Sequence, residues 1–115
     1  MYSITEQFII WLDSQGYTAR THPPKTGDEF VTVERTGGNV QDMVDHPTVA
    51  VQAWAKSEAR AEEMAIAIRD ALLTESLPSG VYRASVNAGP YPYWDEDTRL
   101  PRFQIVFEVT CQLTD

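Results

Sequence analysis

The sequence predicts an α+β fold: a two-layer sandwich in which two helices pack on one face of a small mixed β-sheet, in the order α-β-β-α-β-β. Three observations carry this expectation. Two segments place apolar residues at helical spacing, and four others alternate apolar and polar residues as half-buried strands do. The 115 residues hold no internal repeat, heptad series or low-complexity linker, so residues 1–115 read as a single domain. With 43% apolar and 23% charged residues, the composition is that of a chain able to bury a core.

The first helix spans residues 3–15. Ile4, Phe8, Trp11 and Leu12 recur at i, i+4, i+7 and i+8 and make one apolar stripe. Ser3 with Glu6 three positions later is a capping box, and Gly16 supplies a left-handed stop. The residues from His22 to Asp28, with two successive prolines, read as a turn-rich loop, and the short stretch from Tyr17 to Arg20 is open between strand and loop. Phe30 to Arg35 alternates as a strand with Val31 and Val33 toward the core, ending at Gly37 and Gly38. After a polar stretch, Pro47 to Ala55 alternates again, with Val49, Val51 and Ala53 on one face.

Ser57 caps the second helix, in which Ala61, Met64, Ala65, Ile68, Ala71 and Leu72 share a face and Glu58, Glu62 and Glu63 favour the positive end of the dipole. Leu77 to Gly80 stop it. Val81 to Ala88 then reads as a strand with Tyr82, Ala84, Val86 and Ala88 on one face. The last strand aligns Phe103, Ile105, Phe107, Val109, Cys111 and Leu113. Helix two is the crossover between the two strand pairs, each of which is expected to be antiparallel.

Charge and motif content narrow the function. Nine Lys and Arg against seventeen Asp and Glu give a net charge of −8, which argues against a groove that tracks phosphates and hence against sequence-specific DNA binding. No apolar run is long enough to span a bilayer, and the N-terminal residues do not resemble an export signal. The lone Cys111 lies on the apolar face of the last strand, as a structural thiol does, and cannot form an internal disulfide. His22 and His46 each precede proline outside any nucleophile motif. Asp42, Asp45 and His46 lack metal-loop spacing, and Asp95, Glu96 and Asp97 lack the alternating oxygens of a calcium loop. We therefore expect no catalytic residues, no metal and no cofactor.

The distinctive segment is GPYPYWDEDTRLPRF, residues 89–103, which sets Tyr91, Tyr93 and Trp94 in a proline-stiffened acidic loop. Aromatics supply contact area at low entropic cost, and prolines hold an arm extended, so the expected role is protein contact; the alternative is a cover for the open end of the core. The stretch from Gly37 to Asp45 is a second candidate arm, with a plain hairpin loop as the alternative.

Taken together, the N-terminal amphipathic helix, the strand ending HPTVAVQAWA, the capped helix AEEMAIAIRDALL and the terminal pair ending PRFQIVFEVTCQ resemble the tail terminator, or tail completion, proteins of long-tailed bacteriophages, especially those of actinobacteriophages. The resemblance covers most of the chain and rests on element order and loop character. It implies a structural virion protein with no enzymatic activity, assembled in the host cytoplasm and located at the tail neck. Such subunits form a homohexameric ring that caps the tail tube protein, ends tube growth, and presents a joint to a head-completion or neck protein. Genomic DNA passes through the ring without sequence-specific binding, and no membrane is involved. The docking role carries over to Tyr91, Pro92, Tyr93, Trp94, Asp95, Pro101 and Arg102. The alternatives are another neck component such as a head-tail joining protein, a small acid/base enzyme using Asp95 or Glu96 with His46, or an intracellular binding domain.

Overall fold

In the computed structural model of the chain, residues 1–93 and 100–113 are described. They form an α+β domain with a five-stranded mixed sheet and two helices packed against it. The elements are α1 (Ile4–Ser14), β1 (Ala19–Arg20), β2 (Phe30–Gln41), β3 (Val44–Trp54), α2 (Glu58–Thr74), β4 (Val81–Pro92) and β5 (Arg102–Cys111). The strand order is β1-β2-β3-β5-β4, with β1 parallel to β2 and every other pairing antiparallel. The open stretch near Tyr17 therefore contributes a strand, and α2 carries the chain from β3 over β5 to β4. No helix among the described residues is long and apolar enough to cross a membrane.

Both helices begin as their caps require. The Ser3 hydroxyl accepts from the Glu6 amide at 3.2 Å, and the Ser57 hydroxyl from the Arg60 amide at 3.1 Å. The apolar stripes of α1 (Ile4, Phe8, Trp11, Leu12) and α2 (Ala61, Met64, Ala65, Ile68, Ala71, Leu72) join one core cluster with Val31, Val33, Val49, Val51, Ala53, Ile105, Phe107 and Val109 of the sheet. Trp11 Nε1 donates to Ser76 Oγ at 2.8 Å and Tyr2 OH to the Ser79 carbonyl at 2.6 Å, which ties the N-terminus to the connector that follows α2.

Several expectations are corrected. Gly37 and Gly38 do not end β2; the register shifts between Arg35 and Gly37 and the strand continues to Gln41. Gly38 has φ +114°, and a Cβ there would lie 2.2 Å from the His46 carbonyl oxygen, so only glycine lets the paired strand approach this closely. The turn falls instead at Asp42 and Met43, both left-handed (φ 55° and 66°), the geometry of a two-residue hairpin connection. The stretch 37–45 is thus the distal part of a long hairpin. β4 likewise runs beyond Ala88 to Pro92, so Tyr91 and Pro92 are strand residues and Arg102 opens β5.

The face expected of β4 is also shifted. A register irregularity between Val81 and Arg83 leaves Tyr82 60% exposed, whereas Val81 is buried and Ala84 and Val86 pack on the core. One extra residue in the strand reverses the phase of alternation on either side of it. Leu113, beyond the end of β5, is 37% exposed and is not on the core face.

Candidate functional site

The sheet face away from the core carries two adjacent rows of side chains across four strands. Residues Thr32, Gln52, Gln104 and Tyr91 are register partners on β2, β3, β5 and β4 in turn. Their side chains form one directional chain of hydrogen bonds. Trp54 Nε1 donates to Thr32 Oγ1 (3.0 Å), Thr32 Oγ1 to Gln52 Oε1 (2.7 Å), Gln52 Nε2 to Gln104 Oε1 (2.6 Å), and Gln104 Nε2 to Tyr91 OH (2.6 Å). Thr32 and Gln104 are buried, so these bonds satisfy polar groups that have left water.

The second row lies toward the open end of the same face. Phe30 stacks on Trp54 with ring centroids 5.2 Å apart, and Leu100 completes this satellite cluster. Trp54 faces Arg102 in register, and the Arg102 guanidinium lies 4.6 Å from the Trp54 ring and 4.8 Å from the Tyr93 ring. It also donates to the Tyr93 carbonyl, and Tyr93 meets Tyr91 edge-on at 6.2 Å. A planar cation held against two aromatic rings ties Tyr93, just past the end of β4, to the start of β5 through cation–π attraction and stacking.

The structure therefore brings together Tyr91, Tyr93 and Arg102 of the residues expected to make contacts, with Pro92 exposed beside them and Pro101 half-buried, its carbonyl accepting from the Ala55 amide at 3.2 Å. Trp94 and Asp95 lie outside the described residues, as do Glu96 and Asp97, so the calcium reading and the pairing of His46 with Asp95 or Glu96 also lie outside them. Tyr91 and Arg102 are spent on the sheet, whereas Tyr93 is 45% exposed.

The second arm is the distal β2–β3 hairpin. All residues from Glu34 to Gln41 are exposed, and β1 pairs β2 only at Val31 and Thr32. The outer backbone edge of β2 beyond Thr32 therefore has no strand neighbour among the described residues. Arg35 braces the hairpin with two hydrogen bonds to Asp45 at 2.7 and 2.9 Å, which push the guanidinium pKa above its ordinary value.

Beside this hairpin, on the same face as the two rows, is a polar cleft of about 620 Å³ whose lining includes His46, Thr48, Arg83, Ser85, Glu108 and Thr110. His46 Nδ1 lies 3.4 Å from Thr110 Oγ1, and no described carboxylate hydrogen-bonds the ring. Asp45 is committed to Arg35, so Asp42, Asp45 and His46 are not gathered as ligands, and no group of three or more metal-binding side chains occurs among the described residues. Cys111 is fully buried, and burial raises its thiol to a pKa of about 11.

Sequence reasoning missed Thr32, Gln52, Trp54 and Gln104 as a unit. The available signal was the phase: all four occupy the positions that alternate with the core residues of their strands. A scan against protein-family models finds no match to this chain, and neither does a search among curated proteins.

Proposed function

We propose that the protein is a structural subunit of a long-tailed bacteriophage: a tail terminator that assembles as a ring on the end of the tail tube, stops its growth and joins it to the head-neck. The subunit in this reading is the two-layer sandwich in the order α-β-β-α-β-β, with the short β1 added at the sheet edge. The core cluster shared by both helices supports the two layers.

The observation that carries the reading is the β2–β3 hairpin. Its outer strand is exposed from Glu34 to Gln41 and keeps a backbone edge that no described strand covers, which is the element a ring subunit offers to a neighbour. The net charge of −8 suits a ring that lets DNA slide through, because an acidic wall repels phosphates. Tyr93, held by Arg102, and the neighbouring Pro92 are the contact points assigned to the tube or neck partner.

The test mixes purified protein with purified tail tubes and reads mass by light scattering and position by negative-stain imaging. A ring of about six copies, or a cap at one tube end, is expected. A protein that ignores tubes but binds portal-bearing heads would make it a head-tail joining protein instead. Replacing residues 94–99 with a short turn should leave the fold intact and abolish capping; normal tails from that variant would remove the contact role of the loop.

A further inference from the structure

Two apolar features are left without a partner among the described residues, and they lie at the same end of the sheet on opposite edges. The first is the tip of the β2–β3 hairpin, where Val40 and Met43 are 56% and 78% exposed. The second is a groove of about 490 Å³ between the C-terminal end of α2 and β4, lined in part by Leu72, Leu73, Leu77 and Ala84. Leu73 and Leu77 are 46% and 38% exposed. Val40 and Met43 at the tip, and Leu73 and Leu77 at the groove, thus offer two small apolar surfaces that contact with another molecule would remove from water.

Register shows how the two are related. Val40 pairs with Asp45, Asp45 with Cys111, and Cys111 with Val81, so the tip row runs straight across the sheet to the start of β4, where the groove lies. β2 and β4 are three strand spacings apart, about 14 Å. The hairpin is braced by the Arg35–Asp45 pair and by the close strand approach at Gly38, so the tip does not fold back onto its own groove.

We propose that the hairpin tip of one copy docks Val40 and Met43 into the Leu72–Leu73–Leu77 groove of a second copy. Met43 is unbranched and adaptable, the kind of side chain that fills a shallow apolar groove. Charge agrees with the placement. Asp42, in the turn between the two apolar residues, carries a carboxylate, and Arg83 at the groove makes no ion pair with any described residue. Glu75 also lines the groove, so pairing of Asp42 with Arg83 selects the orientation in which the tip enters.

The contact is heterologous, since tip and groove are different surfaces, and repeated contacts of that kind close into a ring or continue as a filament. Both halves sit at one end of the sheet, which lets successive copies stand side by side. Around a closed ring each copy makes this contact twice, once by its tip and once by its groove, so the ring gains by multivalency. The inference extends the ring reading by naming the surfaces that join its subunits, but it requires only a second copy of the chain.

The experiment uses purified full-length protein without tail tubes. Met43→Cys and Leu73→Cys proteins are mixed at high concentration and treated with a short bismaleimide; buried Cys111 stays unreacted. A cross-linked pair in at least about tenfold excess over a control mixture of Met43→Cys with Ile10→Cys, an equally accessible site on α1, is expected. Yield no greater than the control overturns the proposal. Asp42→Arg in the tip protein should lower the yield, and Arg83→Asp in the groove protein should restore it; a yield indifferent to both changes also overturns it. If tubes are capped while tip and groove fail to cross-link, the ring is joined by other surfaces and the function stands. Cross-linking without capping gives the reverse.

Discussion

Gln52 and Gln104 face each other across β3 and β5 and are joined by a 2.6 Å hydrogen bond in the middle of a chain that runs from Trp54 to Tyr91. Each donor in that chain points the same way, so the bonds polarise one another. Gln104 is buried and serves two neighbours, and its loss strands both of them. Gln104→Leu, close in volume, should cost about 2–3 kcal/mol, whereas Tyr91→Phe at the end of the chain should cost about 1 kcal/mol. Urea unfolding midpoints check this, and equal effects for the two variants would remove the ladder as a unit.

The two adjacent glycines of β2 give a paired prediction. At Gly38 the positive φ and the His46 carbonyl both oppose a side chain, while at Gly37 nothing lies within 4 Å of a built Cβ. Gly38→Ala should therefore destabilise the protein by at least about 2 kcal/mol, and Gly37→Ala should stay within about 0.5 kcal/mol of wild type. Thermal unfolding of the two variants decides it; similar melting points would mean that the strand pair at Gly38 relaxes to admit a side chain.

These glycines also mark where the sequence stops being legible. The helices could be read because their stripes, Ile4 to Leu12 and Ala61 to Leu72, and their serine caps are local signals, and β3 and β5 could be read because Val49, Val51 and Ala53, and Phe103 to Cys111, put every second residue on the core. Gly37 and Gly38 have the composition of a strand end, yet they pair with Thr48 and Pro47 just past the irregularity at Thr36, and Gly38 uses glycine's positive φ inside the strand. The real turn at Asp42 and Met43 lacks the Asn-Gly or Asp-Gly pair that announces such a connection. In β4 the irregularity beside Tyr82 reverses the alternation, so period alone grouped Tyr82 with Ala84 and Val86, where the core takes Val81 instead. The hydrogen-bonded row depends on register between strands as many as 72 positions apart, Thr32 to Gln104, and each member by itself looks like an ordinary solvent-facing residue.

Arg102 should resist conservative replacement. Its planar guanidinium contacts the Trp54 and Tyr93 rings together and donates to the Tyr93 carbonyl, and an ammonium cannot stack on two faces at once. Arg102→Lys should cost about 1 kcal/mol, a melting temperature lower by roughly 4–8 °C for a domain of this size. Arg102→Met keeps the apolar stem but removes the charge and should be no better than Lys. A Met variant as stable as wild type would assign the contact to packing alone.

Alkaline pH should loosen the fold through Cys111. Burial is the main cause that raises its thiol from 9.0 to about 11; nearby Asp45 adds to the rise and Arg35 opposes it. The folded chain thus holds a proton that the unfolded chain releases above its ordinary pKa. The stabilisation is complete below about pH 9 and is lost as pH climbs toward 11, by an amount on the order of 2 kcal/mol. Tyr2, raised from 10.0 to about 12 chiefly by burial, adds a loss of the same sign at higher pH. Cys111→Ala lowers stability at every pH by the cavity it opens, but its stability should fall less steeply between pH 9 and 10.5. Urea titrations of both proteins at pH 7, 9 and 10.5 separate the two effects, because the cavity cost is independent of pH and the proton linkage is not. Parallel pH profiles would show that the Cys111 thiol titrates alike in the folded and unfolded chains.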